Sequence, residues 1–327
     1  MKRKLMACLV AIAFLGAAGP ALAEKIQIRL GHVAPPVVAQ HKGAEVFKKY
    51  VESKSNGAIE VSVYPAGQLG GERAMVESIQ IGTLEMGIIT TAVLTNFVPE
   101  TAVFNLPFFY PNKASIHKVF ESEVGEQIEE AFAKKGFKLL TFQYNGYRNF
   151  GTTKKPVKTP EDLADLKIRS IESPLFIDAY KALGNKPIPL PFPEVANSLQ
   201  QGVVDGLDLH LEGLWGAKMP VKYVSLARWI LSGIIVFMNK PVFDRLSPEL
   251  QTIVMEGAFE GKLAHLGAVT ERELMAVDAM KEKGIQFNSL TPEERALFVE
   301  KIKPVHEKWR ERIGADLFDK AAAIVNK

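Results

Sequence analysis

From Ile26 the segment "IQIRLGHV" alternates apolar and polar residues, the period of a half-buried strand. In "KGAEVFKKYVES", Ala44, Phe47 and Val51 recur at helical spacing and mark one buried face. "NGAIEVSVYPAGQLGG" reads as a turn, an alternating strand and a Gly-rich loop, and "ERAMVESIQIGTLEMGIITT" as a helix followed by an apolar strand. This strand–helix–strand–helix–strand order predicts an α/β lobe with a largely parallel sheet. A helix over Glu126 to Lys135 and the strand "FKLLTFQYN" extend it.

A second lobe is expected from about Gly146. In "KTPEDLADL", Thr159 stands as an N-cap and Pro160 at the first helical position, with acids in the first turn. The short strand of "DLKIRSIESP" follows, then a helix around Leu175 to Leu183 and the proline-rich "NKPIPLPFP". A helix from Glu194 to Gln201 and the strands "GVVDGLDL" and "GIIVFMN" come next. Ser247-Pro248-Glu249 opens a helical stretch reaching Lys283, long enough to brace both lobes. The expected division is 24–145 plus about 233–272 for lobe I, and 146–232 plus about 273–327 for lobe II. Two such lobes leave a cleft, where open sheets bind ligands beyond their strand ends.

The N-terminus sets the compartment. Three basic residues precede an apolar run that ends on Ala21-Leu22-Ala23, the pattern of a secretory signal peptide over residues 1–23. That run is shorter than the ~20 residues of a spanning helix. Cys8 lies within it, too early for a lipoprotein acceptor, so the mature chain is expected to lack cysteine, disulfides and thiol chemistry. The formal charge of +3 sits in Lys2, Arg3 and Lys4; the 40 basic residues less these three leave 37, equal to the 37 acidic ones. That balance argues against a nucleic-acid partner. A soluble, monomeric, periplasmic protein is expected.

Enzyme signatures are missing: there is no G-x-S-x-G, H-E-x-x-H or G-x-G-x-x-G. "GAFEGK" is one residue short of a phosphate loop and fits a small-residue packing face on the long helix. His32, at the end of the first strand, lines a cleft or sits in the core. In "DGLDLHLE", Asp208, His210 and Glu212 alternate and would share one strand face, as a metal trio or a polar rim. The rim is the favoured reading, and no metal or other cofactor is expected. Arg148 follows one strand, among Tyr144, Tyr147 and Phe150, and Arg169 ends the next. If those strands are parallel neighbours, two guanidiniums reach one cleft edge and hold a carboxylate or sulfonate with forked donors. Taken singly, an ion pair with Glu172 or Asp162 explains either arginine. A single arginine pair favours a compact monoanionic headgroup over two clamped carboxylates.

The ordered segments "YPAGQLGGERAM", "NLPFFYPNKA", "NGYRNFGTTKKPVKTPEDLADLKIRS", "ALGNKPIPLPFPEVANSLQQGVVDG" and "LSPELQTIV" carry a resemblance. From about Ile28 to Glu260 the chain resembles the DctP-type periplasmic substrate-binding subunits of tripartite ATP-independent periplasmic (TRAP) transporters. The resemblance implies a two-lobed periplasmic binding protein fold with a long helix spanning both lobes. It also implies a cleft that closes on one organic anion, no catalysis, and delivery to integral membrane transporter subunits. By the same likeness Arg169 forms the carboxylate salt bridge and Arg148 sits beside it. Glu72 and Thr90 face the ligand from the first lobe, and Phe192 packs on it. Ser170 and Ser173 are further candidate donors. Two departures stand out. Leu209 replaces an asparagine that often assists the arginine, so Asp208 or His210 would serve instead; Asp165 replaces a glycine outside the cleft. An ABC-type receptor or a ligand sensor would share these features, and a secreted hydrolase or lyase would need a nucleophile that the chain does not display.

Overall fold

The computed structural model describes residues 25–326, and the signal-like segment 1–23 lies outside them. The elements begin with β1 (Ile26–Gly31), α1 (Ala39–Lys54), β2 (Ile59–Tyr64), α2 (Glu72–Gln80), β3 (Met86–Thr90), α3 (Thr91–Leu94), α4 (Lys113–Phe120) and α5 (Glu123–Lys134). Next come β4 (Phe137–Thr152), α6 (Glu161–Ala164), β5 (Ile168–Ser170), α7 (Pro174–Ala182), β6 (Ile188–Pro189), α8 (Val195–Gln200) and β7 (Gly206–His210). The chain continues through α9 (Leu211–Gly216), β8 (Tyr223–Asn239), α10 (Lys240–Asp244) and α11 (Pro248–Lys281). It ends with β9 (Gln286–Ser289), α12 (Pro292–Ile313) and α13 (Ala315–Val325).

The strands run in the order β2-β1-β3-β8-β4-β7-β5-β6, with β9 also paired to β8. β1 lies parallel to β2 and β3, as the strand–helix alternation predicts. β5 lies parallel to β6 and β7 at the other end of the sheet. Between these parallel groups stand β4 and β8, of 16 and 17 residues. At ~3.4 Å per residue each extends about 55 Å. They pair antiparallel from Phe137 opposite Asn239 to Thr152 opposite Tyr223. β3 joins one end of this ladder, at Ile234 to Met238, and β7 joins the other, at Arg148 to Thr152. Two lobes therefore share two continuous strands.

This corrects several expectations. The strand "FKLLTFQYN" does not stop before Gly146 but runs through it, so Arg148 is interior to β4. "GIIVFMN" is only the second half of β8. α6 starts at Glu161, and it is the Asp162 carboxylate that accepts from the Lys158 and Thr159 amides; the Thr159 side chain does not cap it. α12 begins with a capping box between Thr291 and Glu294, a signal legible in "TPEE". It packs on α7, whereas α13 lies on α4 and α5. The final helix thus crosses to the half expected to hold residues 24–145.

α11 has 34 residues, with the Ser247 side chain accepting from the Leu250 amide at its start. Its glycines confirm the packing-face reading of "GAFEGK". A Cβ on Gly257 would stand 2.6 Å from Val51, and one on Gly261 would stand 2.8 Å from the Gly43 carbonyl oxygen. Only glycine lets α1 and α11 approach this closely.

Gly146 sits at a register shift in the β4–β8 ladder, with φ +104°. A Cβ there would lie 2.0 Å from Glu273 Oε1 on α11. Gly146→Ala should destabilise the fold by about 1–3 kcal/mol, from positive-φ strain and overpacking together. Urea unfolding would measure this, and an unchanged midpoint would show that the bulge absorbs a side chain.

Candidate functional site

Arg169 occupies the middle of the three-residue β5, paired to Ile188 on one side and Leu207 on the other. Its backbone is locked by both neighbours, and its side chain is 2% exposed. Nε and Nη2 donate to the Leu190 carbonyl oxygen at 3.0 and 2.7 Å. Neither Glu172 nor Asp162 reaches it, and it forms no ion pair among the described residues. Burial and the nearby Arg148 charge push it down to about 10, so it remains a cation at neutral pH.

Arg148 reaches the same cavity by a different route from the one expected. β4 and β5 are not neighbours: β7 lies between them, antiparallel to β4 and parallel to β5. Arg148 stands opposite His210 in that pairing. Its Nε donates to Asp208 Oδ2 at 2.5 Å and its Nη2 to the Asp208 carbonyl at 2.6 Å. The guanidinium also lies 5.1 Å from the centre of the Phe176 ring. Asp208 accepts further from Tyr180 Oη at 2.8 Å and Trp229 Nε1 at 3.2 Å. It is a structural counter-ion, fully buried behind Arg148.

These groups bound a partly enclosed cavity of about 40 Å³. Arg169, Arg148, Glu72, Thr90, Phe192 and His210 all line it. Glu72, the first residue of α2, accepts from the Thr90 amide and the Thr90 hydroxyl, each at 2.8 Å. Burial raises its pKa, opposed by these two bonds and by both arginines.

Four expected residues lie elsewhere. Asp208 is withdrawn, as described. The Ser170 hydroxyl is buried and donates to the Ile171 carbonyl at 2.9 Å. His32 is buried beneath the wall, with Nε2 3.1 Å from His41 Nδ1. Ser173, too, turns away and meets Thr95 at 3.0 Å. The strand-face alternation in "DGLDLHLE" ends at His210, because Glu212 already belongs to α9. Glu212 instead accepts from the Ala39 amide at the start of α1 and from Arg272 Nε. It lies 3.9 Å from His210 Nδ1, but that nitrogen accepts from the Gly213 amide and so carries no proton for an ion pair. Among the described residues no group of three or more His, Cys, Asp or Glu gathers as a metal site.

Asn145, Ser232, Gln40 and residues Val33, Ala34, Pro35 and Val38 also line the wall and were not anticipated. Asn145 is the extra residue of the β4 bulge, since Tyr144 pairs with Gly233 and Gly146 with Ser232. A polar residue inside an apolar strand was the available signal; the strand was instead expected to end at Asn145, before Gly146.

The family model for bacterial extracellular solute-binding proteins, family 7 (DctP), matches residues 30–312. The chain belongs to that family. It is 33% identical to the C4-dicarboxylate-binding periplasmic protein DctP of Rhodobacter capsulatus, over 97% of this chain and 96% of that one. A TRAP periplasmic solute-binding protein of Bordetella bronchispeptica, whose bound density is assigned to pantoate, superposes with a TM-score of 0.86 at 30% identity, covering 91% and 99% of the two chains. One from Sulfurospirillum deleyianum with bound succinate gives 0.86 at 29% identity, covering 92% and 99%. Family 7 proteins are periplasmic receptors of the TRAP type, and their two-lobed fold is the one seen here. Among the described residues no helix is long and apolar enough to cross a membrane.

Two predictions test this geometry. Asp208→Asn strips Arg148 of its counter-ion and should cost about 3–5 kcal/mol of stability in urea unfolding; a loss below 1 kcal/mol would deny the pair that role. Burial also pushes the imidazoles of His32 and His210 down to about 3 and that of His265 to about 4, from 6.5. The unfolded state therefore takes up protons first as pH falls through 6.5, and stability declines from there towards pH 4. Glu72 and Glu212, raised by burial, act in the opposite sense. Urea midpoints should drop between about pH 7 and pH 5, and equal midpoints would contradict neutral, buried imidazoles.

Proposed function

We propose that the chain is the extracytoplasmic receptor of a TRAP transporter, capturing a small organic anion, a carboxylate or a sulfonate, on Arg169. One observation carries this reading. Arg169 is a buried guanidinium on a cavity wall whose only hydrogen bonds among the described residues go to a neutral peptide carbonyl. A carbonyl orients a guanidinium without cancelling its charge, so an anion is the missing partner. Arg148 flanks the anion, while Glu72, Thr90, His210 and Phe192 shape the remaining wall. Membership in family 7 favours a TRAP receptor over an ABC receptor or a sensor, and a receptor over an enzyme.

In this reading residues 1–23 direct export, and capture closes one lobe upon the other. Lobe I comprises 24–145 with about 233–272, now joined by α13, and lobe II most of the remainder. The parallel groups at opposite ends of the β4–β8 ladder support that division. The closed receptor then delivers its ligand to the membrane subunits for import. Sodium-driven uptake by vesicles carrying those subunits would test delivery.

Arg169→Ala should weaken the acid that most raises the melting temperature in a screen of organic acids. The expected loss is about 3–5 kcal/mol, more than roughly 100-fold in Kd. Calorimetry showing unchanged affinity would remove Arg169 from the site.

A further inference from the structure

Resting on the organic-acid reading above, we infer that the ligand is a monocarboxylate whose aliphatic body carries uncharged hydroxyl or oxo groups, and that the cavity selects against a second carboxylate. The charges on the wall are few. Arg169 is the cation without an acidic partner, because Asp208 already matches Arg148. Among the described residues Glu72 is the third charged side chain on the wall, its oxygens held by Thr90, and no lysine lines the cavity. One carboxylate satisfies Arg169. A second would meet the Glu72 carboxylate or the aliphatic residues Val33, Ala34, Pro35 and Val38, with no cation to answer it.

Neutral groups define the rest of the ligand. Asn145, Ser232 and His210 line the cavity at 5%, 3% and 6% exposure. The Asn145 amide, the Ser232 hydroxyl and His210 Nε2 have no hydrogen-bond partner among the described residues. Because His210 Nδ1 accepts from the Gly213 amide at 3.0 Å, the neutral ring carries its proton on Nε2 and offers a donor. Once a ligand fills the cavity and excludes water, polar groups left unpaired are costly, so these three match ligand oxygens that are polar but uncharged. Hydroxyl and oxo substituents fit. A bare hydrocarbon would leave all three unpaired.

Thermal shift followed by calorimetry on the purified protein tests this with six acids. D-erythronate and 2-oxoisovalerate carry neutral oxygens, butyrate and isovalerate carry none, and succinate and glutarate carry a second carboxylate. An oxygenated monocarboxylate should bind tightest, at least about tenfold tighter than the plain acids and about 100-fold tighter than the dicarboxylates. Asn145→Ala and Ser232→Ala should erode that preference, weakening the oxygenated acids while the plain acids bind no more weakly than before. Succinate, glutarate or a plain acid binding tightest would overturn the inference. If its binding were then lost in Arg169→Ala, the arginine anion site would stand and only the monocarboxylate class would fall. No shift with any of the six would overturn both.

Discussion

The Arg169 guanidinium keeps a full positive charge where water barely reaches, and most of the site is arranged around that fact. Its two hydrogen bonds to the Leu190 carbonyl set its direction and leave its charge unmatched. A second buried guanidinium nearby would make matters worse if it were also free. Asp208 prevents this by taking Arg148 through both side-chain and main-chain oxygens. Asp208 is held in turn by Tyr180 and Trp229, whose rings pack 5.1 Å apart beneath the sheet. An aromatic layer with two polar tips thus fixes one carboxylate. That carboxylate cancels one arginine and leaves the other without an acidic partner among the described residues.

The backbone brings these groups together because β4 and β8 do not end where the lobes meet. Strands this long would be straight and uninformative without their irregularities. The shift at Tyr144 and Gly146 turns Asn145 into the cavity beside Ser232. A second shift follows Arg148, where β8 carries Arg228 at φ +46° with its amide bound to Asn149 Oδ1. Bulges add twist and re-aim side chains, so polar residues emerge from otherwise apolar ladders. Meanwhile α11 ties the halves from outside, with its glycines against α1 and Arg272 reaching Glu212 on α9.

What could be read from the sequence follows from the range of the forces involved. Hydrophobic period and helix-start signals located α1, α2, α5 to α8 and α11 with β1 to β3, β5 and β7, since both are local; α4, α12 and α13 were not located. Ordered family segments located Arg169, Arg148, Glu72, Thr90, Phe192 and His210 on the cavity wall. The continuity of β4 and β8 was hidden because Asn145-Gly146 and Ser232-Gly233 look like turns, and only cross-strand pairing makes them bulges. Asp208 looked like a cleft residue for the same reason. Its burial depends on β4 lying beside β7, which no local pattern encodes. His32, at the end of β1, points into the core against His41, and strand-end position alone does not decide that side.

On the proposed reading, closure and binding are two aspects of one electrostatic balance. An unmatched guanidinium is tolerable in an open cleft, where water solvates it, and costly once the wall closes over it. An anion on Arg169 removes that cost only in the closed arrangement, and such differential affinity is what shifts a conformational equilibrium. Contacts that need no ligand set the baseline from which the shift begins. The hydrogen bond from the Ala39 amide to Glu212 is one: it gives the uncapped start of α1 an acceptor from α9, with Arg272 bound to the same oxygen. Strengthening that contact would favour closure without ligand, and the free energy available to discriminate between acids would shrink accordingly. A receptor that must close for the right acid and open for the wrong one therefore benefits from leaving Arg169 unpaired, so that the ligand itself supplies the decisive interaction.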